Sequence, residues 1–236
     1  MTNLRKILSI SALAIAMSAG VAQAEGAGQA AGKGAESAAA LKAPAGVYVM
    51  DPTHASLQWS FVHNKISHYT ARFNKFSAEI TLDPSNLAKS SVTARIDPAS
   101  VDANYPADYK ATHAKTGFSS WSEDIARNKN YLNAGQFPEI TFKSTRVELT
   151  GPRAAKVTGD MTFLGVTKPL VLDATFVGEL EKHPFTKQPA IGFKAEGTFR
   201  RSDFGMPVGF VGDEVTIRFD GEFLRKADVK DASNAK

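Results

Sequence analysis

The sequence contains no cysteine at all. Disulfide bonds, thiolate metal sites, a cysteine nucleophile and lipid attachment to an N-terminal cysteine are therefore excluded. Because no covalent cross-link is available, stability must come from an ordinary hydrophobic core. The part of the chain that shows a regular pattern, about 185 residues, is long enough to form one.

Net charge is also small, at +4 for the whole chain. Arg5 and Lys6 are the only charged residues among the first 24, so the net charge falls to +2 if that segment is removed. A surplus this small gives no electrostatic reason to bind nucleic acid or an anionic membrane. We therefore predict no nucleic-acid partner.

Long hydrophobic runs are scarce as well. The apolar run from Ile7 to Met17 is shorter than the roughly 20 residues that span a bilayer. It is followed by the small-residue triplet Ala22-Gln23-Ala24 and then by an acidic residue, which is the pattern of a secretory signal peptide. We expect cleavage after Ala24 and a soluble periplasmic or secreted mature protein.

Motifs of common enzyme classes are missing too. There is no Gly-x-Ser-x-Gly elbow for acyl transfer and no His-Glu-x-x-His helix for zinc. His54, His63, His68 and His113 lie in strand or loop patterns, where imidazole more often makes local hydrogen bonds. We predict no catalytic residues, no metal site and no required cofactor. A hydrolase or metal-dependent enzyme is the least favoured alternative.

The remaining chain divides by composition. Residues 25–46 are almost entirely Ala, Gly, Lys, Glu and Ser, which predicts a flexible lead-in. Residues 47–226 form the folded domain, and residues 227–236 are predicted to be a disordered tail.

The folded domain contains eight short runs that alternate between apolar and polar residues, which indicates strands. Turn signals such as Asp83-Pro84, Asp97-Pro98 and Gly151-Pro152 separate neighbouring runs and favour antiparallel pairing. An all-β fold of this kind hides its strand edges best by closing into an eight-stranded antiparallel barrel. A two-sheet sandwich is the competing architecture.

One segment, residues 102–136, is too long for a hairpin loop and lies between the third and fourth strands. Ser120 and Glu123 form a capping box, and Pro106 and Gly117 frame an earlier helical turn. The sequence therefore predicts a helical excursion that covers one end of the barrel.

The inner face of the predicted barrel mixes large apolar residues with small ones. Eight strands enclose a lumen that is either filled by its own side chains or able to hold one small ligand, and the pattern alone leaves both readings open. The predicted lumen residues are Trp59, Phe61, Phe76, Ile80, Ala94, Phe142, Met161, Phe163, Leu172, Phe176, Phe193, Ile217 and Phe219. The predicted polar residues that orient a ligand are His63, Arg72, Arg201 and Asp203, although an ion pair between strands explains the last three equally well.

Five motifs in order resemble the YceI-like family of polyisoprenoid-binding proteins. They are Asp51-Pro52-Thr53-His54-Ala55-Ser56; His63 with Ser67 and Arg72-Phe73; Phe137-Pro138-Glu139-Ile140-Thr141-Phe142-Lys143-Ser144; Thr158-Gly159-Asp160-Met161-Thr162 with Gly165-Val166-Thr167-Lys168-Pro169; and Arg201-Ser202-Asp203-Phe204-Gly205-Met206. The resemblance extends over nearly the whole of residues 47–226.

The resemblance implies a lipocalin-like barrel in the bacterial periplasm or outside the cell. It also implies an apolar channel that binds an isoprenoid tail such as that of a quinone. The predicted function is thus a non-catalytic lipid-binding protein of the cell envelope, with an apolar lipid-like ligand. An envelope membrane, a redox partner and a homodimer are all compatible with this function. The alternative is a packed barrel without a cavity that acts on an envelope partner such as an electron carrier.

Overall fold

The computed structural model describes residues 41–103 and 105–227. The predicted signal peptide, most of the predicted lead-in and all but the first residue of the predicted C-terminal tail lie outside the described residues, so the domain boundaries stay predictions. Among the residues that are described, no helix has the length and apolar character needed to cross a membrane.

Antiparallel strands make up most of the described chain, with two short α-helices in the middle. The elements are β1 (Gly46–His63), β2 (Ser67–Phe73), β3 (Phe76–Leu82), β4 (Ser91–Ile96), β5 (Val101–Asp102), α1 (Tyr109–His113), α2 (Trp121–Arg127), β6 (Ile140–Gly151), β7 (Ala154–Phe163), β8 (Val166–Leu180), β9 (Ala190–Arg200) and β10 (Glu214–Arg225). Short 3₁₀ helices cover Leu87–Lys89, Pro98–Ser100, Ala114–Thr116 and Arg201–Phe204.

The long strand β1 closes the barrel because both of its edges are paired. One edge pairs with β10, from Tyr48 to Ser60, and the other pairs first with β3 and then with β2. The closed ring contains β1, β3, β4, β6, β7, β8, β9 and β10. The predicted eight-stranded antiparallel barrel is therefore confirmed. The strands β2 and β5, which pair with each other beside β1, were not predicted from the sequence.

A bulge in β1 changes which residues face inward. Met50 pairs with Phe223 and Ala55 pairs with Gly221, so β1 has three more residues than β10 in this interval. Because side chains alternate along a strand, an odd number of extra residues reverses the inward face. Even-numbered residues such as Met50 are buried before the bulge, and odd-numbered residues such as Trp59 are buried after it.

A small core lies at the barrel end where β1 begins. Tyr48 is fully buried, and its hydroxyl donates a hydrogen bond to the carbonyl oxygen of Pro44 at 2.8 Å. Phe223 packs in the same cluster. The segment before β1 is tied to the barrel because the backbone N–H of Ala43 donates to the Glu179 carboxylate at 2.7 Å.

The helical excursion lies between β4 and β6, the third and fourth strands of the ring, as predicted. The Ser120 hydroxyl accepts a hydrogen bond from the N–H of Glu123 at 3.1 Å, and the Glu123 carboxylate accepts one from the N–H of Ser119 at 2.8 Å. Gly117 has a φ of 83°, a left-handed conformation that stops the preceding 3₁₀ helix without strain. Tyr105, just before α1, stacks on Tyr69 of β2, which pairs with the last residues of β1, so the excursion lies at the end of the barrel opposite the start of β1.

Candidate functional site

The barrel encloses an apolar cavity of about 420 Å³. This volume lies within the range of about 300–1,000 Å³ that is typical of ligand pockets. Every lumen position predicted from the sequence lies in its wall. These residues are Trp59, Phe61, Phe76, Ile80, Ala94, Phe142, Met161, Phe163, Leu172, Phe176, Phe193, Ile217 and Phe219.

The lumen is not filled by its own side chains. Phe61, Phe76, Phe193 and Phe219 face inward, yet each is only half-buried, because each borders the open space of the cavity. In a packed core such residues would be almost fully enclosed, as Phe163 is at 5 % exposure. The sequence left two interpretations open, a filled lumen and a lumen with room for a ligand. The structure contains an open cavity and therefore supports the second.

The inward glycines do not create that space. A Cβ on Gly197 would lie 2.6 Å from Cδ2 of Leu172, and a Cβ on Gly159 would collide with the ring of Phe142. Neighbouring residues therefore fill the space that a side chain at Gly197 or Gly159 would need, as in a packed core. Alanines do border the cavity itself, at Ala78, Ala94, Ala154, Ala155, Ala174 and Ala195.

The cavity extends along the barrel from one end to the other. At the β6–β7 turn its wall includes Leu149 and Arg153, and at the helical excursion it includes Tyr105 and Trp121. The guanidinium carbon of Arg153 lies 5.0 Å from the ring centroid of Phe176, so a cation covers the aromatic wall at the first of these ends. An elongated apolar molecule fits this shape.

Trp121 both lines the cavity and holds the helical excursion together. Its ring centroid lies 5.1 Å from that of Tyr105 and 4.3 Å from that of His113. Beside it, the Tyr109 hydroxyl donates to the buried Asp124 carboxylate at 2.8 Å. The excursion is therefore a packed cover with its own polar core.

Two of the predicted ligand-orienting residues, His63 and Arg201, lie in the cavity wall. Arg201 is 3 % exposed, and its side chain donates to the carbonyl oxygens of Gly212 and Val211, each at 3.0 Å. Burial lowers the pKa of this guanidinium. Its hydrogen bonds fix the β9–β10 connection at the edge of the cavity.

The other two, Arg72 and Asp203, do not lie in the cavity wall, so the structure does not support the ligand-orienting role predicted for them. In β2 the inward positions are those of Tyr69 and Phe73, so Arg72 points outward, where it is 59 % exposed and lies 3.7 Å from the Asp102 carboxylate. Asp203 is exposed on a 3₁₀ helix. For Arg72 the alternative interpretation, an ion pair between strands, agrees with its contact from β2 to Asp102 of β5.

Tyr69 and Phe73 also lie in the wall, and they were not predicted because β2 was not recognised in the sequence. The signal was present, since Tyr69, Ala71 and Phe73 alternate with His68, Thr70 and Arg72. Tyr105 was also missed, and no periodic pattern marks it, because it lies in an irregular segment before α1.

The histidine His54 lies in the β1 bulge. Its Nδ1 is 2.9 Å from Oδ2 of Asp51, and this hydrogen bond raises its pKa. The pKa of Asp51 is lowered to about 2, first by the hydroxyl of Thr53 and then by His54, against the opposing effect of burial. In residues 41–103 and 105–227, no three His, Asp or Glu side chains group together as a metal site would need.

Comparison with known proteins gives relatives of similar length. A UPF0312 protein of Vibrio cholerae is 33 % identical over 186 residues, which is 78 % of this chain and 90 % of the relative. The crystal structure of the Campylobacter jejuni YCEI protein is 26 % identical, with a TM-score of 0.56 over 69 % of this chain and 88 % of that one. A polyisoprenoid binding domain from Saccharophagus degradans shares the fold, with 10 % identity and a TM-score of 0.50 over 78 % of this chain and all of that one.

Residues 48–223 match the model of the YceI-like domain. The matched range begins and ends within the barrel strands β1 and β10 and contains the whole cavity wall except Leu41. The resemblance noted from five sequence motifs is therefore confirmed over the full barrel. This chain belongs to the YceI-like family.

Proposed function

We propose that this chain is a non-catalytic binding protein of the bacterial cell envelope, and that its barrel holds the apolar tail of an isoprenoid or similar lipid, such as a quinone. The observation that carries the proposal is the unfilled cavity of about 420 Å³, which aromatic and aliphatic side chains line along the barrel. Such a wall recognises a ligand by shape and apolar surface more than by hydrogen bonds.

The energetics favour a long hydrocarbon tail. Each methylene that leaves water for an apolar site contributes about 0.8 kcal/mol before the costs of ordering the ligand. A tail of several isoprene units therefore binds tightly even where few polar contacts form. The isoprenoid class enters the proposal from the family and from the name of the Saccharophagus degradans neighbour, which is described as a polyisoprenoid binding domain.

The envelope location rests on the N-terminal sequence pattern. A charged start, an apolar run and the Ala22-Gln23-Ala24 triplet support export and cleavage after Ala24. Intact mass measurement of the protein from the periplasmic fraction tests this. A mature N-terminus at Glu25 supports the proposed location, and full-length protein in the cytoplasm contradicts it.

The packed-barrel alternative requires a lumen that its own side chains fill. The half-buried inward phenylalanines and the cavity between them count against that alternative. The proposal therefore assigns the lumen itself, and not an outer barrel face, as the functional surface.

The ligand is tested by mass spectrometry of an organic extract from protein purified out of the periplasm. We expect an isoprenoid or other long-chain lipid at about one molecule per chain, as one lumen allows. Ala195→Phe places a ring into the cavity and is expected to abolish the bound lipid, because Ala195 lines the lumen.

Lys194→Phe is the matched control, since Lys194 is the neighbour on the same strand and is exposed on the outer face. It adds the same ring outside the lumen and should leave the lipid bound. An extract without lipid, followed by no binding when purified quinones and isoprenoid hydrocarbons are added, contradicts the proposed function.

A further inference from the structure

Exposed apolar side chains collect at one rim of the barrel. Phe210 is 93 % exposed and Ile66 is 85 % exposed, and Val62 and Val208 are exposed as well. Single apolar residues on a surface are ordinary, but a group of them marks an interaction site. We call these four residues, Val62, Ile66, Val208 and Phe210, the rim patch.

Backbone contacts bring the rim patch together from two loop tips. Ile66 ends the β1–β2 turn, and its N–H donates to the carbonyl oxygen of His63 at 3.1 Å. His63 also forms a β-bridge with Val211 in the β9–β10 connection. The N–H of Gly212 donates to the carbonyl oxygen of Val62 at 2.7 Å. The β1–β2 turn and the β9–β10 connection therefore lie side by side at the same end of the barrel.

The rim patch borders the mouth of the cavity. Val211, the neighbour of Phe210, lies in the cavity wall, and so does His63. Tyr105, which leads into the helical excursion, also lines the cavity and is itself exposed at this end. A lipid that enters or leaves the lumen beneath the excursion therefore passes close to the rim patch.

The charge of the two tips suits a phospholipid surface. Lys65 is the only lysine, arginine, aspartate or glutamate in residues 62–67 and 205–212, and it is exposed. Neither tip thus has an acidic side chain, which lipid phosphates would repel, and the one formal charge attracts them. The opposite end of the barrel differs. Its exposed Phe185 lies in a loop, residues 181–189, that carries one acidic and two basic residues.

We propose that the rim patch is a membrane-docking surface, which places the mouth of the barrel on a lipid bilayer. The side chains of Phe210 and Ile66 enter the boundary between head groups and acyl chains, while Lys65 stays at the phosphates. This inference rests on the proposed function, because a lipid held in the lumen has to come from a membrane or be delivered to one. Docking at the mouth lets the lipid pass between bilayer and lumen without crossing water.

Sedimentation with vesicles tests the docking surface, with protein purified from the periplasm. Wild-type protein should bind vesicles of phosphatidylethanolamine and phosphatidylglycerol. Phe210→Ser should weaken this binding about 10-fold or more, as expected for the loss of one large apolar side chain from the contact. Ile66→Ser should act in the same direction. Phe185→Ser is the matched control, because it removes a similarly exposed phenylalanine from the opposite end, and it should bind like the wild type.

Lys65→Gln separates the charge from the apolar contact. It should weaken binding to the vesicles with phosphatidylglycerol about 5-fold, which is the effect of one lysine at an anionic surface. Binding to vesicles of phosphatidylcholine alone should stay nearly unchanged. Equal binding of the wild type and this variant to the anionic vesicles contradicts the role of Lys65.

The absence of cysteine allows one position at a time to be labelled. Val208→Cys places a polarity-sensitive fluorophore within the rim patch, and Phe185→Cys places it at the opposite end. When vesicles are added, the emission should shift to the blue at position 208 and stay unchanged at position 185. A shift at position 185 alone, or an equal shift at both positions, shows that the rim patch is not the docking surface.

Ala195→Phe separates this inference from the proposed function, because it places a ring into the lumen and leaves both tips unchanged. This variant should lose the bound lipid and still bind vesicles. Wild-type protein that carries lipid but does not bind vesicles overturns the docking surface, leaves a protein partner to cover the rim patch, and lets the proposed function stand. Wild-type protein that binds vesicles through the rim patch but neither carries nor takes up lipid supports the docking surface and contradicts the proposed function.

Discussion

Gly197 and Leu172 pack so closely across β8 and β9 that no side chain fits between them. A Cβ on Gly197 would lie 2.6 Å from Cδ2 of Leu172 and 2.8 Å from the backbone oxygen of Val171. Because a backbone atom forms part of this contact, rotation of the leucine side chain cannot relieve it.

Gly197→Ala is therefore expected to destabilise the barrel by about 1–3 kcal/mol, the usual cost of overpacking. Urea unfolding measures this change. Gly178→Ala is the matched control, because nothing lies within 4 Å of a Cβ there and Gly178 does not have a positive φ. We expect that change to be neutral or to stabilise by up to about 1 kcal/mol. Equal stability of the two variants would contradict the packing argument.

The Asp51 turn in the β1 bulge predicts a particular dependence of stability on pH. The pKa of Asp51 is lowered to about 2 from an ordinary 3.8, so the ionised carboxylate stabilises the folded bulge. This stabilisation is fully present above about pH 4 and is lost as the pH falls towards 2. The pKa of His54 is raised, so its protonated form stabilises the folded bulge. This stabilisation is fully present below the ordinary pKa of 6.5 and is lost as the pH rises through the raised value. The bulge is thus most stable between about pH 4 and 6.5.

NMR titration of the two side chains checks this assignment. In Asp51→Asn the pKa of His54 should fall towards 6.5, because its main hydrogen-bond partner has lost its charge. In Thr53→Ala the pKa of Asp51 should rise towards 3.8, because the Thr53 hydroxyl is the largest cause of its depression. A His54 that titrates at 6.5 in the wild-type protein would show that this contact does not form in solution.

The buried guanidinium of Arg201 is expected to hold the β9–β10 connection in place. Arg201→Met removes its hydrogen bonds to the carbonyl oxygens of Val211 and Gly212 and should cost about 1–3 kcal/mol. Arg201→Lys should not restore the stability, because an ammonium group lacks the planar fork that reaches both oxygens.

Urea unfolding and amide hydrogen exchange over residues 205–213 measure the Arg201 effect. The control is Arg200→Met, since Arg200 is 65 % exposed and pairs with Asp213 at 2.9 Å on the surface. An exposed pair of this kind contributes about 0–1 kcal/mol. If both variants lose the same stability, the burial of Arg201 has no special role.

The apolar wall of the cavity was predictable because side chains alternate between the inner and outer faces of each barrel strand. Once a run such as Phe76-Ser77-Ala78 is assigned to a strand, its inward parity is fixed, and every predicted apolar lumen residue lies in the wall. The eight strands of the ring followed from the same pattern. The strand β2 follows β1 directly after the turn at Asn64 and Lys65, and its short alternating run was not assigned to a strand.

The polar part of the site was not predictable in the same way. Sequence motifs drew attention to Arg72 and Asp203, but a charged residue can lie on either face, and only the register of β2 shows that Arg72 points outward. Nε1 of Trp59 and the hydroxyl oxygen of Tyr69, for example, are buried without a hydrogen-bond partner among residues 41–103 and 105–227, which depends on their three-dimensional neighbours. No local pattern marks a donor as unpaired, because that depends on which strands meet around it.

The cover formed by α1 and α2 is expected to control how fast the lumen exchanges its ligand. The Tyr109 hydroxyl donates to the Asp124 carboxylate at 2.8 Å, inside the polar core of the excursion, and Asn128 donates to the same carboxylate at 2.8 Å. Tyr109→Phe leaves this carboxylate, whose residue is 4 % exposed, with one donor fewer, which costs about 1–3 kcal/mol locally.

We expect Tyr109→Phe to raise the rate of ligand dissociation several-fold by opening the cover more often, while the barrel strands keep their amide protection. Stopped-flow transfer of a fluorescent prenyl lipid to vesicles measures that rate, and limited proteolysis in residues 105–119 reports the opening. Lys110→Met serves as the control because Lys110, the next residue on the same helix, is exposed and lies outside the polar core around Asp124. If Tyr109→Phe increases proteolysis but leaves the dissociation rate unchanged, the ligand leaves by the opposite end of the cavity, where Arg153 covers Phe176.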